Sequence, residues 1–217
     1  KNKLINFFKY GIISQFKEFF FQFRQYFSKT YYPINPYKFG YLLRLWIRAK
    51  RKDNLKNSFK KFKGKEDLSQ KFVYYALSFE PERTTCPDGN EFHDQIITLI
   101  VLRNFLPPEY SIYVKEHPSQ FYLAEKGSRG RSPLFYEAIK NIKGVFLLDE
   151  EIDSLELIRK AEFTASVSGS GAFESAIMGK KSLVFGDTWY EGCPNITKWN
   201  HEITFEEFIN KKLSDTQ

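Results

Sequence analysis

Between residues 72 and 186 the chain alternates strand-type and helix-type runs, and that alternation limits the folds open to it more than any other feature. Residues 72–79, Phe-Val-Tyr-Tyr-Ala-Leu-Ser-Phe, have the length and aromatic content of a buried strand. Residues 90–105 follow with a helical pattern that stops at Pro107 and Pro108. A second strand over 111–115 leads through a long loop to a helix over 133–141. A third strand over 145–149 precedes a short helix over 154–160, and a fourth spans 163–167. Gly169, Ser170 and Gly171 then open a helix reaching Met178, and residues 182–186 close the series as a fifth strand. Parallel strands need crossover connections, and helical crossovers cover the sheet they connect. The pattern therefore predicts an α/β domain with a Rossmann-like parallel sheet and helices on both faces. Ligands of such sheets bind beyond the carboxyl ends of the strands, so the residues after 79, 115, 149, 167 and 185 are the ones to inspect.

Upstream the pattern differs. Leu4, Phe7, Phe8, Ile12, Phe16, Phe19, Phe20, Phe23 and Phe27 recur at three and four, which predicts a helix with one apolar and one basic face. Pro33 and Pro36 break it. A second helix is expected from Gly40 to about Lys52, then a basic stretch over 54–65 and a polar joint around 64–70. Residues 1–66 hold 17 Lys and Arg against three Asp and Glu, whereas residues 67–217 hold 16 against 23. The chain thus reads as a basic aromatic helical segment, residues 1–66, followed by the Rossmann-like domain, residues 67–217. A basic, Phe-rich segment suits nucleic acid, an anionic membrane surface or an acidic partner. It equally suits an interdomain connector whose Phe side chains pack on another domain.

Composition removes whole classes. With 23 Phe and 13 Tyr the chain has the aromatic surface that disordered chains lack. No apolar run is long enough to span a bilayer; even Phe19 to Phe23 is flanked by Lys17, Glu18 and Arg24. Cys86 and Cys193 form no Cys-x-x-Cys pair, and no two His lie four apart, so neither a zinc site nor a dithiol motif is expected. The absence of a secretory leader pattern points to a cytoplasmic protein, in which the sequon at Asn195 has no weight. A start at Lys1 without Met is expected to mean that further sequence precedes it.

Three strand ends carry chemistry. After the first come Glu80, Glu82, Arg83 and Asp88 in a proline-bearing loop. Two carboxylates beside an Arg suit acid–base work or anion recognition, and equally a solvated loop with an internal ion pair. After the second strand comes Lys115-Glu116-His117-Pro118, where Lys and His can both face a phosphate; the plainer alternative is a His that caps a carbonyl. After the fourth comes Ser168-Gly169-Ser170-Gly171, with Glu174 one turn into the helix. Glycines let backbone approach an anion, the helix start points N–H groups at it, and Glu174 suits ribose hydroxyls. The alternative is a tight turn with a Ser cap, and the loop is not a full Gly-x-Gly-x-x-Gly fingerprint. His93, His201 and residues 149–151 read as structural or solvated.

Taken together and in order, residues 74–85, 113–118, 168–174 and 183–190 resemble the bacterial capsule polysaccharide biosynthesis family, which includes Kdo transferases that use CMP-Kdo. The resemblance covers about the last two thirds of the chain. It implies a GT-B glycosyltransferase, two Rossmann-like halves with the active site between them, of which this chain supplies the C-terminal, nucleotide-binding half. It also implies that His117 meets the donor phosphate, that Ser168 and Ser170 line the phosphate loop, and that Glu174 faces the ribose; Lys115, Gly169 and Gly171 join the expected donor site through their own chemistry at the same strand ends. Glu80, Glu82 and Asp88 become candidates for acceptor or donor contacts near the cleft; His117, Glu82 and Glu80 are the catalytic candidates, with none of the carboxylates assigned as the base. The expected partners are a CMP-sugar donor and a glycan or lipid-linked acceptor at the inner face of the cytoplasmic membrane. No further cofactor and no metal is expected, because a monophosphate leaving group is within reach of a His, a Lys and a helix N-terminus. The readings set against this one are a UDP-sugar transferase or epimerase, and a noncatalytic basic module binding membrane or nucleic acid. Nucleic acid is disfavoured by the absence of a reader motif and by the acidic remainder of the chain.

Overall fold

The computed structural model describes residues 39–64, 67–121 and 127–213. The apolar-faced stretch at 4–27 and its proline break lie outside them. Helix α1 (Phe39–Phe62) runs without interruption through the positions where the sequence suggests one helix ending near Lys52 and a separate basic stretch beyond. No Pro or Gly interrupts residues 41–62, and Leu55 and Phe59, four apart, form a buried stripe. The Phe59 ring lies 5.3 Å from the rings of both Phe121 and Tyr136. Beyond the helix, the Gly64 N–H donates to Leu147 O at 2.8 Å. By their contacts the described residues from Arg48 onward form one compact unit. The sheet-bearing unit therefore starts upstream of the joint expected at 66–67. Composition changes at 66, but burial of Leu55 and Phe59 assigns that part of α1 to the domain.

Six strands form one parallel sheet: β1 (Phe72–Ala76), β2 (Ser111–Lys115), β3 (Val145–Leu147), β4 (Phe163–Ser166), β5 (Lys181–Val184) and β6 (Ile196–Lys198), in the order β3-β2-β1-β4-β5-β6. In register, Tyr74 lies beside Tyr113 of β2 on one side and Thr164 of β4 on the other. Successive side chains alternate between faces. Val73, Tyr75, Ile112, Val114, Phe163 and Ala165 point to one core, and Phe72, Tyr74 and Tyr113 to the other.

The first core is closed by α1 together with helices α2 (Gln95–Phe105), α3 (Pro133–Asn141) and the short α6 (Phe205–Asn210), through Leu99, Leu102, Tyr136, Ile139 and Phe208. The opposite face is covered by α4 (Ser154–Lys160) and α5 (Ser170–Ile177), through Leu157, Ile158 and Ala172. Local sequence sets the helix starts. Asp94 accepts from Ile96 N–H, Asp153 accepts from Leu155 N–H, and Thr204 with Glu207 makes a capping box. The helix expected over 90–105 begins at Gln95 instead, because Asp94 caps it, and residues Asn90–Phe92 form a separate 3₁₀ turn.

Strand β6 and helix α6 were not legible in the sequence. β6 is three half-buried residues reached from β5 without a helix, and it is held by pairing with β5 (Ser182↔Ile196) and by Trp199 N–H donating to Val184 O at 2.7 Å. No described helix is long and apolar enough to cross a membrane.

The strand order decides where a ligand goes. β1 feeds α2 on one face and β4 feeds α5 on the other, so the chain leaves these adjacent strands in opposite directions and opens a crevice between them.

Candidate functional site

A cleft of about 450 Å³ occupies that crevice, lined by the loops after β1, β2 and β4 and by the start of α5. Its walls are built on a buried polar network. Arg131, with no exposed side-chain surface, pairs with Glu80 (Nη1 to Oε2, 2.7 Å) and Glu116 (Nε to Oε2, 3.2 Å), and it donates to Ser78 O at 2.8 Å. Glu116 also accepts from the Tyr136 hydroxyl at 2.6 Å and from His117 N–H at 2.9 Å. Gln95 ties Ser78 N–H and Glu80 together, while Gln120 clasps the Glu80 backbone and Gly127 O. Burial alone would lower the Arg131 pKa, but Glu116 and Glu80 outweigh it and raise it; burial first, then Glu116, pushes the Tyr136 hydroxyl upward. The network fixes the strand-end loops of β1 and β2, which otherwise share no local sequence.

On this frame the β2 end presents His117. Ser119 N–H donates to its Nδ1 at 3.2 Å, so the neutral ring carries its proton on Nε2 and keeps a donor on a side chain that lines the cleft. The ring leans on Phe79 with centroids 5.7 Å apart. Lys115, also lining the cleft, donates to Ser154 Oγ at 2.8 Å and to Ile152 O at the start of α4. Burial lowers its pKa, with Asp153 partly opposing. Tyr74 lies in the floor, its pKa pushed up to about 12 by burial.

The β4 end presents the glycine loop. Gly169 is the N-cap of α5 in extended backbone and has no side-chain cap; Ala172 N–H turns back to Gly169 O at 3.4 Å, which leaves the N–H groups of Ser170 and Gly171 at the cleft. Ser168 donates to Thr84 O, linking this loop to the one after β1. Ser170 donates to Glu174 Oε1 at 3.1 Å, and the Tyr190 hydroxyl donates to Gly169 O at 2.6 Å. Close packing accounts for the second glycine: a Cβ on Gly171 would stand 3.1 Å from that of Ala76. The arrangement offers an anion backbone donors and a positive helix end, while the Ser168 and Ser170 hydroxyl protons are directed to Thr84 O and Glu174.

Of the side chains singled out from sequence, His117, Lys115, Ser168, Gly169, Ser170, Gly171, Glu174 and Glu82 all line this one cleft. Glu80 does not. Its carboxylate oxygens are taken by Arg131 and Gln95, which makes it part of the frame rather than a contact in the cleft. Arg83 pairs with Asp88 at 3.3 Å, the internal loop ion pair weighed from sequence. Sequence reasoning passed over Phe79, Ser78, Ser154 and Trp189 in the cleft lining and Arg131 beneath it. Trp189 had a signal: an aromatic residue just past a predicted parallel strand end. Arg131 had none, since its partners are 15 to 53 positions away. Among the described residues no group of three His, Cys, Asp or Glu side chains is placed to hold a metal ion.

No family model matches the chain, and no curated protein matches it. Among solved structures it is similar to Thermosulfurimonas dismutans KpsC, beta Kdo 2,7 transferase, at 18% identity and a TM-score of 0.47, over 77% of this chain and 50% of that one. It is also similar to Thermosulfurimonas dismutans KpsC, beta Kdo 2,4 transferase, at 18% identity and a TM-score of 0.47, over 88% of this chain and 55% of that one. The chain spans about half the length of these two proteins.

Proposed function

We propose that this domain is the nucleotide-binding half of a GT-B glycosyltransferase of capsule polysaccharide biosynthesis that takes its sugar from a CMP-activated donor. The observation that carries the reading is the convergence in one cleft of about 450 Å³ of His117, a donor through Nε2, and the uncapped N-terminus of α5 flanked by Ser168 and Ser170. The four sequence motifs that resemble the capsule family also support it, because residues of all four line that cleft.

In the transfer, the bond between the anomeric carbon and the donor phosphate oxygen breaks, and its electron pair stays on CMP. The acceptor oxygen bonds to that carbon and releases its proton to a base. Charge therefore grows on the phosphate, where a preorganised donor set acts most strongly. His117 Nε2–H and the N–H groups of α5 stabilise it, with Lys115 adding positive charge from the β2 side. Glu174 holds the ribose, and Glu82, exposed on the cleft wall, is the carboxylate this chain offers toward the acceptor. The acceptor is a glycan or lipid-linked glycan at the inner membrane face, to which the basic residues 1–66 give electrostatic attraction.

Calorimetric titration of the chain with CMP, UMP and UDP, for wild type and His117→Ala, tests this. CMP binding preferred over UMP and UDP, and weakened about tenfold or more in His117→Ala, is the expected result. Preferential UDP binding would overturn the CMP assignment, and the absence of any nucleotide binding would overturn the donor-site reading.

A further inference from the structure

Trp189 is an indole held out at the cleft with 77% of its surface exposed, the most exposed large apolar side chain among the described residues. An isolated exposed Trp would sample several rotamers, but this one is braced. Its ring lies 4.8 Å from Phe173 of α5 and 5.2 Å, edge to face, from Tyr190. Phe173 and Tyr190 stack on each other at 5.5 Å, and the buried Tyr190 is pinned by its hydroxyl to Gly169 O, the N-cap of α5. The brace therefore ties the indole to the same loop that presents the anion-binding N–H groups. A rigid aromatic face costs little ordering entropy when a flat ligand stacks on it.

Resting on the nucleotide-donor reading above, we propose that Trp189 is the platform on which the donor's nucleobase stacks. The order of the strands gives the direction. Along the sheet edge His117 follows β2, Ser78 and Glu82 follow β1, the glycine loop follows β4 and Trp189 follows β5. A phosphate at the start of α5 leaves two ways out, toward β5 or back toward β1 and β2. On α5, Phe173 packs toward β5 and carries the indole, whereas Glu174, the next residue, acts electrostatically on Tyr74 of β1, so the two side chains leave the helix on different sides of the glycine loop. The base accordingly lies on the β5 side of the glycine loop, against Trp189, and the ribose and transferred sugar lie toward Glu174, Glu82 and His117. Stacking is tolerant of base identity, so Trp189 supplies affinity for the nucleoside while the choice between cytosine and uracil is made by other groups.

The test titrates CMP, cytidine and ribose 5-phosphate into wild type, Trp189→Phe and Trp189→Ala, by calorimetry and by tryptophan fluorescence, with thermal melts to show that each variant is folded. Trp189→Ala is expected to weaken CMP and cytidine about 5- to 150-fold, to leave ribose 5-phosphate within about twofold, and Trp189→Phe is expected to keep most of the affinity. Cytidine should quench wild-type fluorescence and lose that effect in Trp189→Phe, in which Trp46 and Trp199 remain. Unchanged CMP affinity in Trp189→Ala, or an equal loss for ribose 5-phosphate, overturns the platform while the donor site stands. Failure of wild type to bind any of the three overturns both.

Discussion

Replacing Arg131 with Met should be among the most damaging single changes available to this domain. The guanidinium has no exposed surface and compensates two carboxylates, of which the Glu116 side chain is itself fully buried and that of Glu80 is 20% exposed. In Arg131→Met, Glu116 retains the Tyr136 hydroxyl and His117 N–H, but its charge has no counterion; Ser78 O falls back on a 3.3 Å bond from Gln95. Contact with the Phe135 ring, 4.2 Å from the guanidinium carbon, is also lost. Removing one partner of a buried pair costs about 3–5 kcal/mol, because the other charge is stranded. For a domain of this size that corresponds to a fall in Tm of about 6–20 °C. Urea titration at pH 7 reads the loss directly. Adding Glu116→Gln removes the stranded charge and should recover roughly half of it. As a control, Lys160→Ala breaks the exposed Lys160–Glu156 pair and should cost about 0.5 kcal/mol or less. A loss below about 1 kcal/mol in Arg131→Met, or a double variant no more stable than the single, would refute the assignment of the network as the frame of the cleft.

Phe59→Ala, emptying a site between Phe121 and Tyr136, should cost about 3–5 kcal/mol in urea titration; a loss under 1 kcal/mol would mean that α1 is a dispensable connector. Ser78→Ala removes a buried hydroxyl without a hydrogen-bond partner, so stability in the same assay should stay level or rise by up to about 1 kcal/mol, and a clear loss would reveal a missing partner. Acid should weaken the fold through Asp67, Asp149, Asp187 and Glu207. The first is held below its ordinary 3.8 mainly by Ser69, the second by Lys63 and the third by Lys198; Glu207 is held below 4.5 by Thr204. Groups with folded pKa values depressed in this way stabilise above their unfolded values and lose that contribution as pH falls through the folded ones. The urea midpoint should therefore fall below about pH 4, and Asp149→Asn should make that acid limb shallower; an unchanged limb would refute the part given to Lys63.

Several elements were readable because their signals are local. The strands at 111–115 and 163–167 are short apolar runs between breakers, and the helices at 133–141 and 154–160 match their observed bounds because Pro133 and Asp153 mark their starts. His117 and the Ser168–Gly171 loop were found for a related reason. In a parallel sheet a strand's carboxyl end is where function sits, and a strand end can be located from the strand itself. Glu80 shows where that reasoning stops. It occupies a strand-end loop as Glu82 does, yet one is locked beneath the cleft and the other lines it. Nothing in their immediate sequence separates them.

What the sequence by itself determined is the class of fold, the succession of strands and helices, and the polar loops from which a site is drawn, since periodicity and turn residues report what each segment must bury. Tertiary structure alone decided the order β3-β2-β1-β4-β5-β6, the inclusion of α1 in the core, the addition of β6, and the use of Arg131 as the clamp on Glu80 and Glu116. Those outcomes depend on partners as far apart in the chain as Tyr74 and Thr164 and on which apolar faces compete for the same surface. A burial pattern names the surface that needs covering; the packed chain names what covers it.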